Sequence, residues 1–230
     1  MEAKRQFVNF SFYQVDPLWR RLSNGEKERA REEGSALIER YRKVMMIQSY
    51  SLVGIRSDAD FMLWRISETL EPFQNMSAEL RGTVLGQYLK TTYSYLAMTK
   101  RSLYVDPHQH PEPESSRARL EPGAAKYLFV YPFVKSRDWY LLPKLERQKI
   151  MDEHIARGHK YPSVKINTSY SFGIDDQEFV VAFESDEPAD FVDLVMELRE
   201  SKASTFTVRD TPAFTCVRKP IQEVWTDLGA

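Results

Sequence analysis

The sequence predicts an α+β fold made of two copies of one βαββαβ unit, and three observations carry that reading. Trp19 and Trp139 end similar strand-like runs and lie 120 residues apart. Gly54 and Gly173 follow matching Ser-Tyr-Ser strands and lie 119 residues apart. Each copy also carries two helical segments at corresponding places and closes on a strand.

Taken in order, FVNFSFYQVDPLW, from Phe7, alternates aromatic and polar residues as a half-buried strand does. Its counterpart is YLFVYPFVKSRDW, from Tyr127. After each tryptophan comes a charged, helix-favouring run, LSNGEKERAREEGSALIERY and LLPKLERQKIMDEHIARGHKY. Pro143 suits the first turn of the second of these helices, where a missing N–H costs little. MIQSYSLVGIRSDADFMLWRIS and KINTSYSFGIDDQEFVVAFES then read as hairpins sharing a Gly-Ile step and an acidic turn. A second helix follows around Leu70–Tyr88 and at Pro188–Arg199, where Phe191, Leu194, Val195 and Leu198 have helical spacing. The closing strands are TYSYLAMTK and AFTCVRK.

Strand, helix, hairpin, helix, strand is the order of a ferredoxin-like unit. VDPHQHPEPESSRAR, between the copies, is rich in proline and polar residues and reads as a surface connection. The expected division is residues 1–105 for the first repeat, 106–125 for the connection and 126–230 for the second repeat. Two such units side by side, with sheets facing and helices outside, give a dimeric α+β barrel type of body. Fold alone does not decide function.

Composition narrows the classes. The chain of 230 residues has 42% hydrophobic and 28% charged residues, as an ordinary globular protein does. Lys+Arg 32 against Asp+Glu 33 leaves a net charge of −1, so no basic surplus attracts nucleic acid. Arg117 with Arg119 still forms a local basic cluster suited to a small anionic ligand. Cys216 is the one cysteine, which excludes an intramolecular disulfide and a four-thiolate metal site. MEAKRQFVNF lacks the apolar run of a signal peptide, and no segment is apolar for long enough to span a bilayer. The expectation is a soluble, cytoplasmic protein.

The repeat breaks its symmetry at one informative place. Fifteen residues after each tryptophan stands Gly34 in the first copy and His154 in the second, with Glu33 and Glu153 in register beside them. His154 shares a helix face with Ile150 and Met151, which turns it toward an apolar interior. A lone histidine so placed is more often a satisfied core residue than a ligand, yet a neutral imidazole in an apolar pocket is a good axial ligand to haem iron. Spacing by itself does not separate the two. His108 and His110 form H-Q-H in the proline-rich connection, where a solvated linker outweighs a weak surface metal site. His159 follows Gly158 at a helix end, where a cation complements the helix dipole.

The run Y-P-F-V-K-S-R-D-W-Y-L-L-P-K-L-E-R-Q-K-I-M-D-E-H, with the later G-I-D-D turn and L-R-E-S-K-A-S segment, resembles the haem-binding half of the chlorite dismutase superfamily. The closest resemblance is to its coprohaem decarboxylase branch, a haem-dependent peroxidase type. It implies that His154 is the proximal iron ligand and that the bound group is haem b or iron coproporphyrin III (coprohaem). Tyr131 matches the tyrosine that becomes a radical and attacks a substrate propionate. Lys135 matches a lysine that contacts propionate and assists proton transfer. Arg199 and Ser204 match an arginine and a serine that hold propionates. Arg119, in R-L-E-P, matches a further propionate arginine, with Arg117 as its competitor because the connection to Tyr131 is shorter than in the family. Propionates need such cationic or hydroxyl partners in a pocket otherwise apolar around the ring. The resemblance also implies hydrogen peroxide as co-substrate and a ring-shaped homopentamer.

Two positions depart from the pattern. Thirteen residues after the proximal histidine, oxygen-producing chlorite dismutases have arginine and many decarboxylases have glutamine; this chain has Asn167. An amide has no charge with which to hold chlorite or departing hypochlorite, which argues against chlorite conversion, while it still hydrogen-bonds peroxide or water. Phe133 stands where decarboxylases commonly have methionine. The implied activity is peroxide-dependent conversion of iron coproporphyrin III to haem b. The alternatives are a haem b peroxidase-like protein, which makes no demand on Tyr131, and a non-enzymatic haem carrier or sensor.

Overall fold

The computed structural model of the protein describes residues 4–102, 104 and 119–229. His108, His110 and Arg117 lie outside the described residues. The chain divides into two compact units, one from Gln6–Met98 with Thr215–Ala230, the other from Met1–Arg5 with Thr99–Phe214.

The first unit contains β1 (Phe7–Val15), α1 (Asn24–Tyr41), β2 (Met46–Ser51), β3 (Phe61–Ser67), α2 (Glu71–Gly82) and β4 (Leu89–Met98). β1 lies between β3 and β4, and β2 is on the far side of β3, all antiparallel. That arrangement is the ferredoxin-like order, reached because two helical crossovers separate the outer strands from the hairpin. Ser23 starts α1 with a capping box, its hydroxyl accepting from Glu26 N while the Glu26 carboxylate accepts from Ser23 N. The second helix stops at Gly82, short of the span expected, and a 3-10 turn at Leu85–Tyr88 follows. There the chain doubles back so tightly that a Cβ on Gly86 would lie 1.8 Å from the Leu80 carbonyl oxygen.

β1 is buried on both faces rather than one. Val8, Phe10 and Phe12 are fully buried on one side, and Asn9 and Ser11 are buried on the other. The polar pair is tolerated because Arg65 on β3 donates to Asn9 Oδ1 at 2.6 Å and to Ser11 Oγ at 2.7 Å. Arg65 also donates to Ser77 Oγ and lies over the Phe73 ring, both on α2. The closing residues expected for the second repeat belong to this unit instead. β9 (Phe214–Arg218) pairs with β2 through Tyr50 and Ser51, and α6 (Ile221–Asp227) buries Trp225 in its core.

The second unit contains β5 (Tyr127–Lys135), a short α3 (Arg137–Leu141), α4 (Lys144–Gly158), β6 (Lys165–Tyr170), β7 (Phe179–Ser185), α5 (Pro188–Arg199) and β8 (Thr207–Arg209). β7 pairs antiparallel with both β6 and β5, and β5 pairs with β8. Trp139 sits in α3, and Pro143 caps α4 one position before its first turn, so the single helix expected after Trp139 is broken in two. Both hairpins turn on a left-handed glycine, Gly54 at φ 77° and Gly173 at φ 74°. The duplicated Gly-Ile step is therefore a shared backbone requirement.

Candidate functional site

A cavity of about 720 Å³ lies in the second unit against the strands and α4. β5, β7 and α4 each present one periodic face to it. β5 contributes Tyr131, Phe133 and Lys135 at alternate positions, and β7 contributes Phe179, Val181 and Phe183. α4 contributes Met151, His154 and Ile155, spaced as one helix face. From β6 come Ile166, Thr168 and Tyr170, paired with Phe183, Val181 and Phe179 of β7, while Lys165 and Asn167, on the alternate face of the strand, also touch the cavity. The walls are mainly apolar and aromatic with a few polar groups, the usual character of a small-molecule site.

His154 is not a satisfied core residue. Its Nδ1 is buried and has no hydrogen-bond partner, whereas buried polar atoms are nearly always bonded. Burial, assisted by the charge of nearby Lys135, lowers its pKa from 6.5 to about 4, so the ring is neutral at physiological pH. A neutral imidazole is the form that binds a metal. Among the described residues no group of three or more His, Cys, Asp or Glu side chains gathers as a metal cage. The unpartnered nitrogen of a neutral imidazole fits an iron that brings its own macrocycle and asks one ligand of the protein.

Lys135 ends β5 inside the cavity. Its Nζ donates to the Ala203 carbonyl at 3.2 Å and stands 4.4 Å from the centroid of the Trp139 ring. Burial lowers its pKa from 10.5 to about 8, and the Glu178 carboxylate opposes that shift. Glu178 Oε2 accepts from Lys135 N at 2.8 Å and from the Tyr140 hydroxyl at 2.5 Å. Tyr131 lies four residues before Lys135, its ring stacked on Phe183 at 5.7 Å. Burial raises the Tyr131 pKa well above 10, with Asp210 adding to the rise and Arg199 opposing it.

The cavity thus brings together His154, Tyr131, Lys135, Asn167 and Arg119 from the residues singled out in the sequence. Phe133 also lines it, edge-on to Phe179. Arg199 and Ser204 are not on its wall. Arg199 is held by Asp210 at 2.5 Å, and the Ser204 hydroxyl is directed at the carbonyls of Arg199 and Ser201. Leu198, the chain neighbour of Arg199, lines the cavity.

Sequence reasoning passed over two cations and read His159 only as a helix-end charge, and all three line the cavity. Lys100 and Lys165 join Arg119 and Lys135 there, against Glu121 as the one acidic lining residue among the described residues. Lys165 carried a usable signal, since it stands two residues before Asn167 on one strand and so shares its side. Four cations around an apolar cavity suit a ligand with several carboxylates.

The pattern for chlorite dismutases matches residues 27–219 of the chain. The chain belongs to the chlorite dismutase family. Within the family it is 31% identical over 221 residues to a coproheme decarboxylase of Mycolicibacterium smegmatis, covering 95% of this chain and 92% of that one. The chlorite dismutase of Candidatus Nitrospira defluvii, solved in complex with imidazole, superimposes with a TM-score of 0.88 at 27% identity, covering 98% and 95% of the two chains. A heme-binding protein from Thermus thermophilus superimposes with a TM-score of 0.85, covering 99% and 96% of the two chains; its identity of 24% speaks for the fold alone. As in other chlorite dismutase folds, the architecture is α+β with two ferredoxin-like repeats. Among the described residues no helix is long and apolar enough to cross a membrane.

Proposed function

We propose that the protein binds iron coproporphyrin III at His154 and converts it, with hydrogen peroxide, to haem b. The observation that carries this reading is the convergence of Tyr131, Lys135 and His154 on one cavity that four cations also line. When bound, the iron tetrapyrrole supplies the oxidising chemistry, and the protein supplies orientation and charge.

His154 holds the ring as a neutral ligand from α4. Arg119, Lys100 and Lys165 offer cationic partners to the propionates and fix which of them lies beside Tyr131. Tyr131 keeps its phenolic hydrogen throughout the physiological range, because burial disfavours the phenolate. The side chain is then set to give up a hydrogen atom and to take one from a propionate chain held against it. Lys135, with a pKa of about 8, is poised to hold a carboxylate when charged and to exchange a proton near neutrality. Each propionate that becomes a vinyl group releases carbon dioxide and two electrons, and one peroxide reduced to water takes them up.

The uncharged amide of Asn167 offers no counter-charge to chlorite, which favours peroxide chemistry over chlorite conversion at this site. Anaerobic loading with iron coproporphyrin III followed by peroxide and mass analysis tests the reading. Stepwise loss of two propionate carboxyls is expected. Bound ligand of unchanged mass would contradict it and leave a haem b peroxidase or carrier in its place.

A further inference from the structure

Arg119, Leu120 and Glu121 are three successive residues that line the cavity, so the segment leading into β5 forms part of its wall. Residues 119–126 belong to no helix or strand. No ladder of backbone hydrogen bonds sets their path, and contacts with the β6–β7 pair hold them instead. Lys165 Nζ, at the start of β6, donates to the Glu121 carbonyl at 2.5 Å. Asp186 Oδ1, just past β7, accepts from Lys126 N at 2.8 Å. Between these two points Gly123 lies against Glu184, where a Cβ would come within 2.9 Å of Oε2.

Glu184 faces away from the cavity. Strand register puts it with Lys165, Asn167 and Ala182 on one side of the pair, while Phe183, Val181 and Phe179 line the cavity from the other. Its carboxylate is 2% exposed, accepts from Asn167 Nδ2 at 2.9 Å and stands 3.7 Å from Lys165 Nζ. Its Oε2 is buried without a hydrogen-bond partner, which is costly for a carboxylate. The first unit shows that the fold does not ask for it. Met46↔Ile66 is the equivalent pair there, and Ile66 is a buried apolar side chain.

We infer that Glu184 is a positioning residue: through Lys165 it fixes the wall segment 119–126 and so sets where Arg119 stands for a ligand carboxylate. Glu184 supplies the counter-charge that keeps a half-exposed lysine on the Glu121 carbonyl, and its place beside Gly123 sets how closely the segment approaches. The inference rests on the haem-site reading above.

The test titrates the full ligand-free chain with iron coproporphyrin III, followed by absorption, in the wild type, Glu184→Gln, Arg119→Gln and the double variant. Glu184→Gln keeps the shape and leaves Lys165 without its counter-charge. The Kd is expected to rise by about three- to fivefold, the size of one half-exposed ion pair. In the Arg119→Gln background the same change should move it by less than about 1.5-fold. The tetramethyl ester of the same porphyrin, which has no carboxylates, should bind wild type and Glu184→Gln alike. Amide hydrogen exchange should quicken in residues 120–126 of Glu184→Gln and stay as it was in α4. Gly123→Ala, which parts the segment from the carboxylate, should also raise the Kd, and decides the matter if Glu184→Gln does not fold.

The sign separates positioning from field. Removing a negative charge strengthens the binding of an anion if Glu184 acts by its field alone, so tighter binding would overturn the inference. An unchanged Kd, unchanged exchange in residues 120–126, or an equal rise in the Arg119→Gln background would do the same. A haem spectrum indifferent to His154→Ala is a different result, and defeats the site reading itself.

Discussion

Lys135 places its ammonium 4.4 Å from the centre of the Trp139 ring while donating to the Ala203 carbonyl, so a buried cation is held by an aromatic face and one backbone oxygen. Such partners compensate a buried charge only in part. The fold therefore carries Lys135 at a cost that a bound carboxylate would offset.

Lys135→Met should accordingly stabilise the ligand-free protein, by about 1–3 kcal/mol, and weaken coprohaem binding. The sign with pH follows from linkage. The folded pKa of about 8 lies below the ordinary value of 10.5. Between those values the unfolded chain holds a proton that the folded protein has released, so stability rises with pH there. Urea unfolding at several pH values checks this: the rise should be present in the wild type and absent in Lys135→Met.

Glu178→Gln removes the carboxylate that receives Lys135 N and the Tyr140 hydroxyl. The expected loss is about 1–2 kcal/mol of stability. Because Glu178 opposes the effect of burial on Lys135, the variant should also lower the Lys135 pKa further. The pH window of the preceding experiment then opens at a lower pH, which the same unfolding series reads.

Gly34 shows why the first unit has no counterpart of the cavity histidine. A Cβ at Gly34 would lie 3.2 Å from Trp225 Cζ2, and Trp225 is anchored by donating Nε1 to Ser35 Oγ at 3.1 Å. The place beside the helix is filled by the indole from α6. Trp225→Ala should destabilise the protein by about 3–5 kcal/mol, and Gly34→Ala by about 1–3 kcal/mol through overpacking. Thermal unfolding of the two variants distinguishes these sizes, and neither change should alter haem affinity at His154.

Tyr131→Phe removes the hydroxyl and leaves the ring stacked on Phe183. Coprohaem should still bind, and its conversion to haem b should fall by roughly a hundredfold or more. Rapid mixing with peroxide, read by mass, separates binding from turnover. Conversion at the wild-type rate would remove Tyr131 from the reaction.

Much of the fold was legible because the two copies say the same thing twice. The Gly-Ile hairpins and the α5 span of Pro188–Arg199 are set by local backbone needs and by helical spacing. The break between α3 and α4 was less legible, because a proline that suits a first turn also suits the residue before it. The polar positions of β1 looked like a solvent face, and only Arg65, more than fifty residues on, makes them interior. At the site, Tyr131, Lys135, Asn167 and His154 lie on strand and helix faces whose periods can be counted. The pairing of Arg199 with Asp210 was not legible, because it is a tertiary contact with no trace in spacing. The hydrogen bond from Asn167 to Glu184 was invisible for a similar reason, since strand register sets the two side by side.

The most direct measurement is the absorption spectrum of the haem-loaded protein with His154→Ala beside the wild type. His154 as the iron ligand requires the variant to lose the wild-type ferric spectrum and to regain it on addition of free imidazole. An unchanged spectrum, with haem bound as tightly as before, would contradict the assignment and with it the account of this cavity.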